Sequence, residues 1–367
     1  MDIRVDNPVG RVPDSRRMSS TTLSLGSDHW RLGARRGTWS RPLHRHLNAL
    51  DNAHELRVRG RCPPGAAPAV ADFLHHAAAR GTFVCGSLGR PLQTALPESL
   101  RAHVHACRGD RAGDLAWDVR AVQQRRAVLT PLMPRLPSVS LVLVSRRAEL
   151  VPAMVHRLSR LAYPHLEIVV GLHGSPAPAG LTEAAGARHL VVREYPSDEV
   201  FGTVLNRAFH CASGELVGKV DDDDYLGDAH VLDLVMAHHY SGATLVGKST
   251  TVVFLEAIDT TVRRLYGARE AFTHRVSGAT FLLDRSDLAS LGGWPAVPRA
   301  VDTALIRALR EAGGTIYQPH DLGYLYVRKA DASSHTWTTG ISHFLGNARE
   351  QWIGLLRHPE FGTQDAA

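Results

Sequence analysis

Asp221, Asp222, Asp223 and Asp224 stand in a row directly after an apolar segment, in the run VGKVDDDDYLG. Few folds tolerate four adjacent carboxylates at the end of a buried strand, because two like charges about 4 Å apart repel by roughly 4 kcal/mol at an effective dielectric near 20. Such a cluster invites a counter-charge. A hard divalent cation is the natural one: Mg2+ and Mn2+ take oxygen ligands, often one or two carboxylates together with substrate phosphates, and ligands gather at strand ends in open α/β sheets. A solvated acidic turn is the alternative open to any Asp run. The surrounding chain bears on the choice.

After Pro137 the pattern is that of an α/β sheet. Val139 to Val144 (VSLVLV) is a continuous apolar run of the kind a buried parallel strand shows, and Leu150 to Leu161 reads as a helix with Val151, Met154, Val155, Leu158 and Leu161 on one face. Leu166 to Leu172 is a second strand, followed by the loop HGSPAPAG, and His189 to Arg193 is a third. A helix over Val200 to Ala212 and a strand over Glu215 to Val220 then deliver the aspartates, and Gly227 to Tyr240 is again helical. This alternation predicts right-handed βαβ crossovers and a nucleotide-binding type of sheet.

The part before Pro137 differs. Residues 1 to about 50 carry little periodicity and are expected to be partly disordered or loosely packed. Ala67 to His76 and Leu115 to Leu129 read as helices, Pro97 to Val104 as a shorter one and Thr82 to Cys85 as a strand, so this is expected to be a small α-rich accessory region ending in the prolines 131, 134 and 137. The expected divisions are 1–135, 136–330 for the α/β domain and 331–367 for a C-terminal lid and tail. The formal charge of +6 is uneven, about +10 before Pro137 and about −4 after it. No nucleic-acid motif accompanies the arginines, so an arginine-rich solvated surface is expected rather than a nucleic-acid partner. No apolar run approaches the ~20 residues of a membrane span, and Asp2, Arg4 and Asp6 stand where a signal peptide needs an apolar core, which predicts a cytoplasmic protein. Cys62, Cys85, Cys107 and Cys211 are scattered and are expected to be reduced structural thiols.

Four segments in order resemble the family 2 glycosyltransferases of the GT-A fold, over roughly Pro137 to Arg328: PSVSLVLVSRR, YPHLEIVVGLHGS, NRAFHCASGELVGKVDDDDYL and SGATFLLDRSDLASLGGWPAVPRAVDTALIRALREAGG. The resemblance implies a GT-A type nucleotide-binding α/β/α sandwich. It implies transfer of a hexosyl or related sugar from a nucleotide-diphosphate donor to an acceptor hydroxyl, with inversion and with Mn2+ or Mg2+ as cofactor. Asp221 and Asp223 would be the D-x-D pair, serving donor and metal, with Asp224 beside them and Asp222 also on the donor. Ser145 and Arg146 fall where the family contacts the nucleoside. Asp302 falls where its general base stands, a carboxylate that takes the acceptor proton, although Val301 occupies the place where the family often has Glu. Capping of a helix beginning near Thr303 is the structural alternative for Asp302. His335 falls where a C-terminal histidine completes the metal site in many members, and Trp337 nearby is expected to pack the tail.

By strand alternation, Asp222 is expected to point away from Asp221 and Asp223. Lys248 is open to phosphate contact, whereas Arg263 and Arg264 read as a surface pair. Two other classes remain open on the sequence: a non-catalytic nucleotide-sugar or glycan-binding module, and a nucleotidyltransferase, which also uses an α/β sheet with carboxylate-bound Mg2+.

Overall fold

The computed structural model describes residues 1–11, 19–107, 113–265, 269–331 and 339–365. The chain forms two compact units, Met1–Pro134 and Arg135–Ala367.

The first unit is built on a sheet of order β3-β2-β1-β4-β5, with strands β1 (Ser19–Leu25), β2 (His29–Leu32), β3 (Arg35–Thr38), β4 (Ala53–Gly60) and β5 (Phe83–Gly86). β1 pairs in parallel with β4, and β4 with β5. Helices α1 (Ala67–Ala79), α2 (Arg90–Ala95), α3 (Glu98–Arg101) and α4 (Leu115–Leu129) complete it. Helices α1, α3 and α4 were legible in the sequence, and α2 was not. The strands within residues 19–38 were not, since Arg, Ser and Gly fill their exposed face while Leu23, Leu25, Trp30 and Leu32 alone mark the buried one. That segment is therefore structured sheet where loose packing was expected. The expectation of four reduced thiols is also corrected: Cys85 and Cys107 form a disulfide, leaving Cys62 and Cys211 free. Sequence spacing gave no sign of the pair because the chain between them runs through α2 and α3 before returning to the end of β5. Among the described residues, no helix is long and apolar enough to cross a membrane.

The second unit is the α/β structure that the sequence predicts. Its elements begin with β6 (Val139–Ser145), α5 (Val151–Ser159), β7 (Leu166–His173), α6 (Leu181–Ala185), β8 (His189–Tyr195), α7 (Phe201–Phe209), β9 (Leu216–Val220), β10 (Tyr225–Leu226) and α8 (His230–Ser241). They continue with β11 (Leu245–Val246), β12 (Val252–Leu255), β13 (Thr260–Arg264), β14 (Ala271–Thr273), β15 (Leu282–Asp284), α9 (Arg285–Ser290), α10 (Val301–Glu311), β16 (Ile316–Gln318), β17 (Tyr324–Arg328), α11 (Ile341–Leu345) and β18 (Ala348–Ile353).

The main sheet runs β14-β16-β11-β15-β9-β6-β7-β8. β9, β6, β7 and β8 are mutually parallel, and β15 is antiparallel to β9. Because β6 and β7 are buried along nearly their whole length, they read as continuous apolar runs rather than alternating ones. Val204, Leu205 and Ala208 of α7 and Val301, Leu305 and Leu309 of α10 share one apolar cluster with Val142, Val169, Val217 and Leu283 of the sheet. α5 and α8 take no part in that cluster and pack on the sheet elsewhere, making an α/β/α sandwich. A second sheet, β10-β17-β12-β13-β18, includes β18 from the segment after residue 331.

Candidate functional site

The register of the central strands builds the site. Leu143 of β6 pairs with Val220 of β9, so Ser145 and Asp222, each two residues further on, leave the sheet side by side. The Ser145 hydroxyl donates to Asp222 Oδ2. The backbone N–H of Arg147 donates to Ser145 Oγ at 2.8 Å, and its guanidinium turns back over the aspartates. Arg147 Nε donates to Asp222 Oδ2 at 3.1 Å, and Nη2 donates both to Asp222 Oδ1 and to Asp223 Oδ2, the latter at 2.9 Å.

The four aspartates are thus divided among different partners, and not as alternation predicts. β9 ends at Val220, and the chain bends at Asp222 and Asp223, so the strand's two-residue period stops before it reaches them. Asp222 and Asp223 share Arg147, contrary to the expectation that Asp222 points away from Asp223. Asp221 alone keeps the strand's phase. It lies on the same face as Lys219, whose Nζ donates to Asp221 Oδ1 at 2.6 Å. Asp224 is buried under the second sheet and accepts from the Tyr324 hydroxyl at 2.8 Å and from Val327 N–H at 2.9 Å. Burial, with Asp223 and Asp221 nearby, pushes its carboxyl well above the ordinary range.

Asp302 reaches the same place from α10, about 80 residues later. Its Oδ1 lies 3.4 Å from Lys219 Nζ, so a nearly buried ammonium stands between Asp221 and Asp302. Burial alone would lower the Lys219 pKa, but the two carboxylates override it and raise it. Burial raises Asp302, an effect that Lys219 opposes. Asp302 lies in the first turn of α10, which starts at Val301 rather than near Thr303, and no side chain caps that helix. The capping alternative is therefore not what holds Asp302. Glycine leaves room at two positions here, Gly278 for Asp302 itself and Gly293 for Asn206. A Cβ on Gly278 would stand 2.0 Å from Asp302 Oδ2, and one on Gly293 would stand 2.0 Å from Asn206 Oδ1. Asn206 in turn accepts from Trp294 N–H at 3.1 Å, fixing the turn that leads toward α10.

Of the remaining sequence candidates, Arg146 turns to the end of β7, where its Nε donates to His173 Nδ1 at 3.1 Å. Burial, with Arg146 beside it, lowers the His173 pKa. Lys248 is buried, with its ammonium on the Leu322 carbonyl and 3.4 Å from Asp233. Arg263 and Arg264 are buried rather than a surface pair: Arg263 donates to Glu350 at 2.8 Å, and the Arg264 guanidinium lies 5.1 Å from the centre of the Phe344 ring. His335 and Trp337 lie outside the described residues.

Sequence reasoning missed Lys219, Arg147 and Tyr324. Lys219 had a legible signal: it is the charged residue in an otherwise apolar strand, two positions before Asp221.

A cavity of about 620 Å³ opens against the Asp222–Asp223 side, within the size range of small-molecule sites. Arg157, Lys329 and Arg357 contribute to its walls, as does Tyr225, over which Arg157 lies at 4.2 Å. Asp221 and Asp302 do not line it. Among the described residues, no three His, Cys, Asp or Glu side chains are grouped to hold a metal ion. The donor chemistry nevertheless fits Mg2+ or Mn2+ with phosphate co-ligands. Asp221 Oδ2 and Asp223 Oδ1 are hard oxygens outside the bonds just described, and one or two carboxylates are the usual protein share of such a site.

No family model matches the chain, and no curated protein matches it. Among solved structures, it is similar to the mannosyltransferase PcManGT from Pyrobaculum calidifontis in complex with GDP-Man and Mn2+, with 18% identity over 53% of this chain and 57% of that one and a TM-score of 0.40. It is similar to S. aureus TarS 1-349 in complex with UDP-GlcNAc, with 16% identity, coverage of 57% and 64% and a TM-score of 0.43. GalNAc-T7 with UDP, GalNAc and Mn2+ gives 13% identity, coverage of 54% and 45% and a TM-score of 0.43. The chain spans less than two thirds of the length of each. Likenesses this distant, with TM-scores below 0.5, say nothing about activity.

Proposed function

We propose that the second unit is a metal-dependent glycosyltransferase that moves a sugar from a nucleotide-diphosphate donor to an acceptor hydroxyl, with inversion. The observation that carries the reading is the Lys219 bridge. The aspartate run and Asp302 were picked from separate stretches of sequence as donor side and acceptor side, and one buried ammonium contacts both.

In this reading, Ser145 and Arg146 meet the nucleoside, and the diphosphate lies near Asp222 and Asp223. Asp221 and Asp223, with His335, would hold Mn2+ or Mg2+. The bound cation would act as a Lewis acid on the charge that builds on the departing diphosphate. Asp302 Oδ2, the oxygen turned away from Lys219, accepts the acceptor hydroxyl's proton as that oxygen bonds to the anomeric carbon and the bond to the diphosphate breaks. Burial raises the basicity of this carboxylate and Lys219 keeps it aligned.

The test is transfer and donor hydrolysis across a panel of nucleotide sugars, with and without EDTA, in the native chain, Asp223→Ala and Asp302→Asn. Chelation and Asp223→Ala are expected to abolish turnover, and Asp302→Asn to slow it by about 10²–10⁴. Full activity under all three conditions would sink the proposal. Nucleotide-sugar binding without turnover in the native chain would instead indicate a binding module.

A further inference from the structure

Arg147 is the charged member of the site to which the transfer chemistry gives no task. The side chains of Asp222 and Asp223 are only 7% and 9% exposed, whereas that of Arg147 is 31% exposed. One guanidinium, with an edge in solvent, therefore serves as counter-charge to two nearly buried carboxylates. It is well anchored, since its own backbone N–H holds Ser145 Oγ and that hydroxyl holds Asp222. A divalent cation at Asp223 must compete with a positive charge already bonded to that carboxylate. A diphosphate changes the balance: guanidinium forks bind phosphate oxygens as well as they bind carboxylates, through paired N–H donors.

We propose that Arg147 is a resident counter-cation that makes divalent-metal binding at Asp223 conditional on a nucleoside diphosphate. Without the nucleotide, the guanidinium holds Asp222 and Asp223. With it, the guanidinium passes from Asp223 to phosphate oxygens and frees that carboxylate. Nucleotide and metal then bind as a pair, and the carboxylates do not collect metal on their own. The inference rests on the reading of Asp223 as a metal ligand, but not on sugar transfer.

The experiment measures Mn2+ binding to the full chain by water-proton relaxation, alone and with UDP or GDP, in the native protein, Arg147→Gln and Arg147→Lys, with thermal unfolding as a check on folding. The native chain is expected to bind Mn2+ at least tenfold more tightly with the matching nucleotide than without it. Arg147→Gln should bind Mn2+ alone about tenfold more tightly than the native chain, while Arg147→Lys, which keeps the charge, stays near the native value. Unchanged or weaker Mn2+ affinity in a folded Arg147→Gln protein overturns the proposal, as does tight, nucleotide-independent binding by the native chain. Conditional Mn2+ binding without transfer to any acceptor would remove the enzymatic reading and leave this one standing. Transfer activity with Mn2+ affinity indifferent to residue 147 would do the reverse.

Discussion

Replacing Lys219 by Met keeps an unbranched side chain of similar length in the strand and removes the charge between Asp221 and Asp302. At the observed 2.6 and 3.4 Å, Coulomb's law gives about 1.6 and about 1.2 kcal/mol in the dielectric of water, and roughly four times as much at an effective dielectric of 20. The two carboxylate side chains are 42% and 35% exposed, so the water-like end applies, although the ammonium itself is only 6% exposed. K219M is therefore expected to lose about 3 kcal/mol, the low end for removing one partner of a buried pair. It leaves Asp221 and Asp302 facing each other with no cation between them. Adding Asp302→Asn removes that repulsion, so the double variant should be more stable than the two single losses imply, by about 1 kcal/mol. Because the chain has two units, the readout should be local: hydrogen–deuterium exchange of the peptide carrying β9 along a urea series. K219M within about 0.5 kcal/mol of the native chain, or a strictly additive cycle, would refute the bridge.

Gly278→Ala places a Cβ 2.0 Å from Asp302 Oδ2, so the carboxylate must rotate away from Lys219. Transfer is expected to fall by about 10²-fold, read as kcat, although Asp302 is still present. Asp224→Ala strands the Val327 N–H and leaves the Tyr324 hydroxyl with Ser277 Oγ at 3.1 Å; it should cost about 1–3 kcal/mol by denaturation, with Asp224→Asn milder because it retains an acceptor. Asp223→Ala removes a proposed metal ligand and should abolish nucleotide-dependent Mn2+ binding, whereas Asp222→Ala removes only an anchor of Arg147 and should be milder; equal losses would count against the D-x-D pairing of Asp221 and Asp223. Glu167 supplies the pH test: burial raises its pKa, but hydrogen bonds from Ser140, Ser213 and His189 outweigh that and leave it below 4.5. A depressed folded pKa contributes stability above the unfolded value, and that stability is lost as pH falls through the folded one. Melting temperatures taken from pH 6 to 3 should thus fall less steeply in Glu167→Gln than in the native chain.

From β6 to α8 the strand and helix order, short α6 and β10 apart, was legible because burial on both faces leaves an unbroken apolar signal in β6 and β7, and α5 and α7 show one apolar stripe each. The first unit was less so. In β1 to β3 the buried positions are single residues between Arg, Ser and Gly, and the Cys85–Cys107 pair depends on a return of the chain that no local spacing records. Arg263 and Arg264 were misread for a related reason. Charge predicts exposure only while no partner is known, and Glu350 and Phe344, which receive them, lie about 80 residues further on.

The aspartate run shows where sequence periodicity stops being a guide to chemistry. Alternation carries information only as far as the ladder that enforces it, and the ladder of β9 ends at Val220. Up to Asp221 the two-residue period holds, which is why Lys219 and Asp221 share a face and meet. Beyond it the backbone is free to bend, and partners decide: Ser145 and Arg147 from the end of β6 draw Asp222 and Asp223 together, while Tyr324 and the Val327 N–H of β17 draw Asp224 into the second sheet. Four identical residues thereby acquire three environments. The division places negative charge toward two distinct regions, one shared with Asp302 and one facing the cavity with Arg157, Lys329 and Arg357.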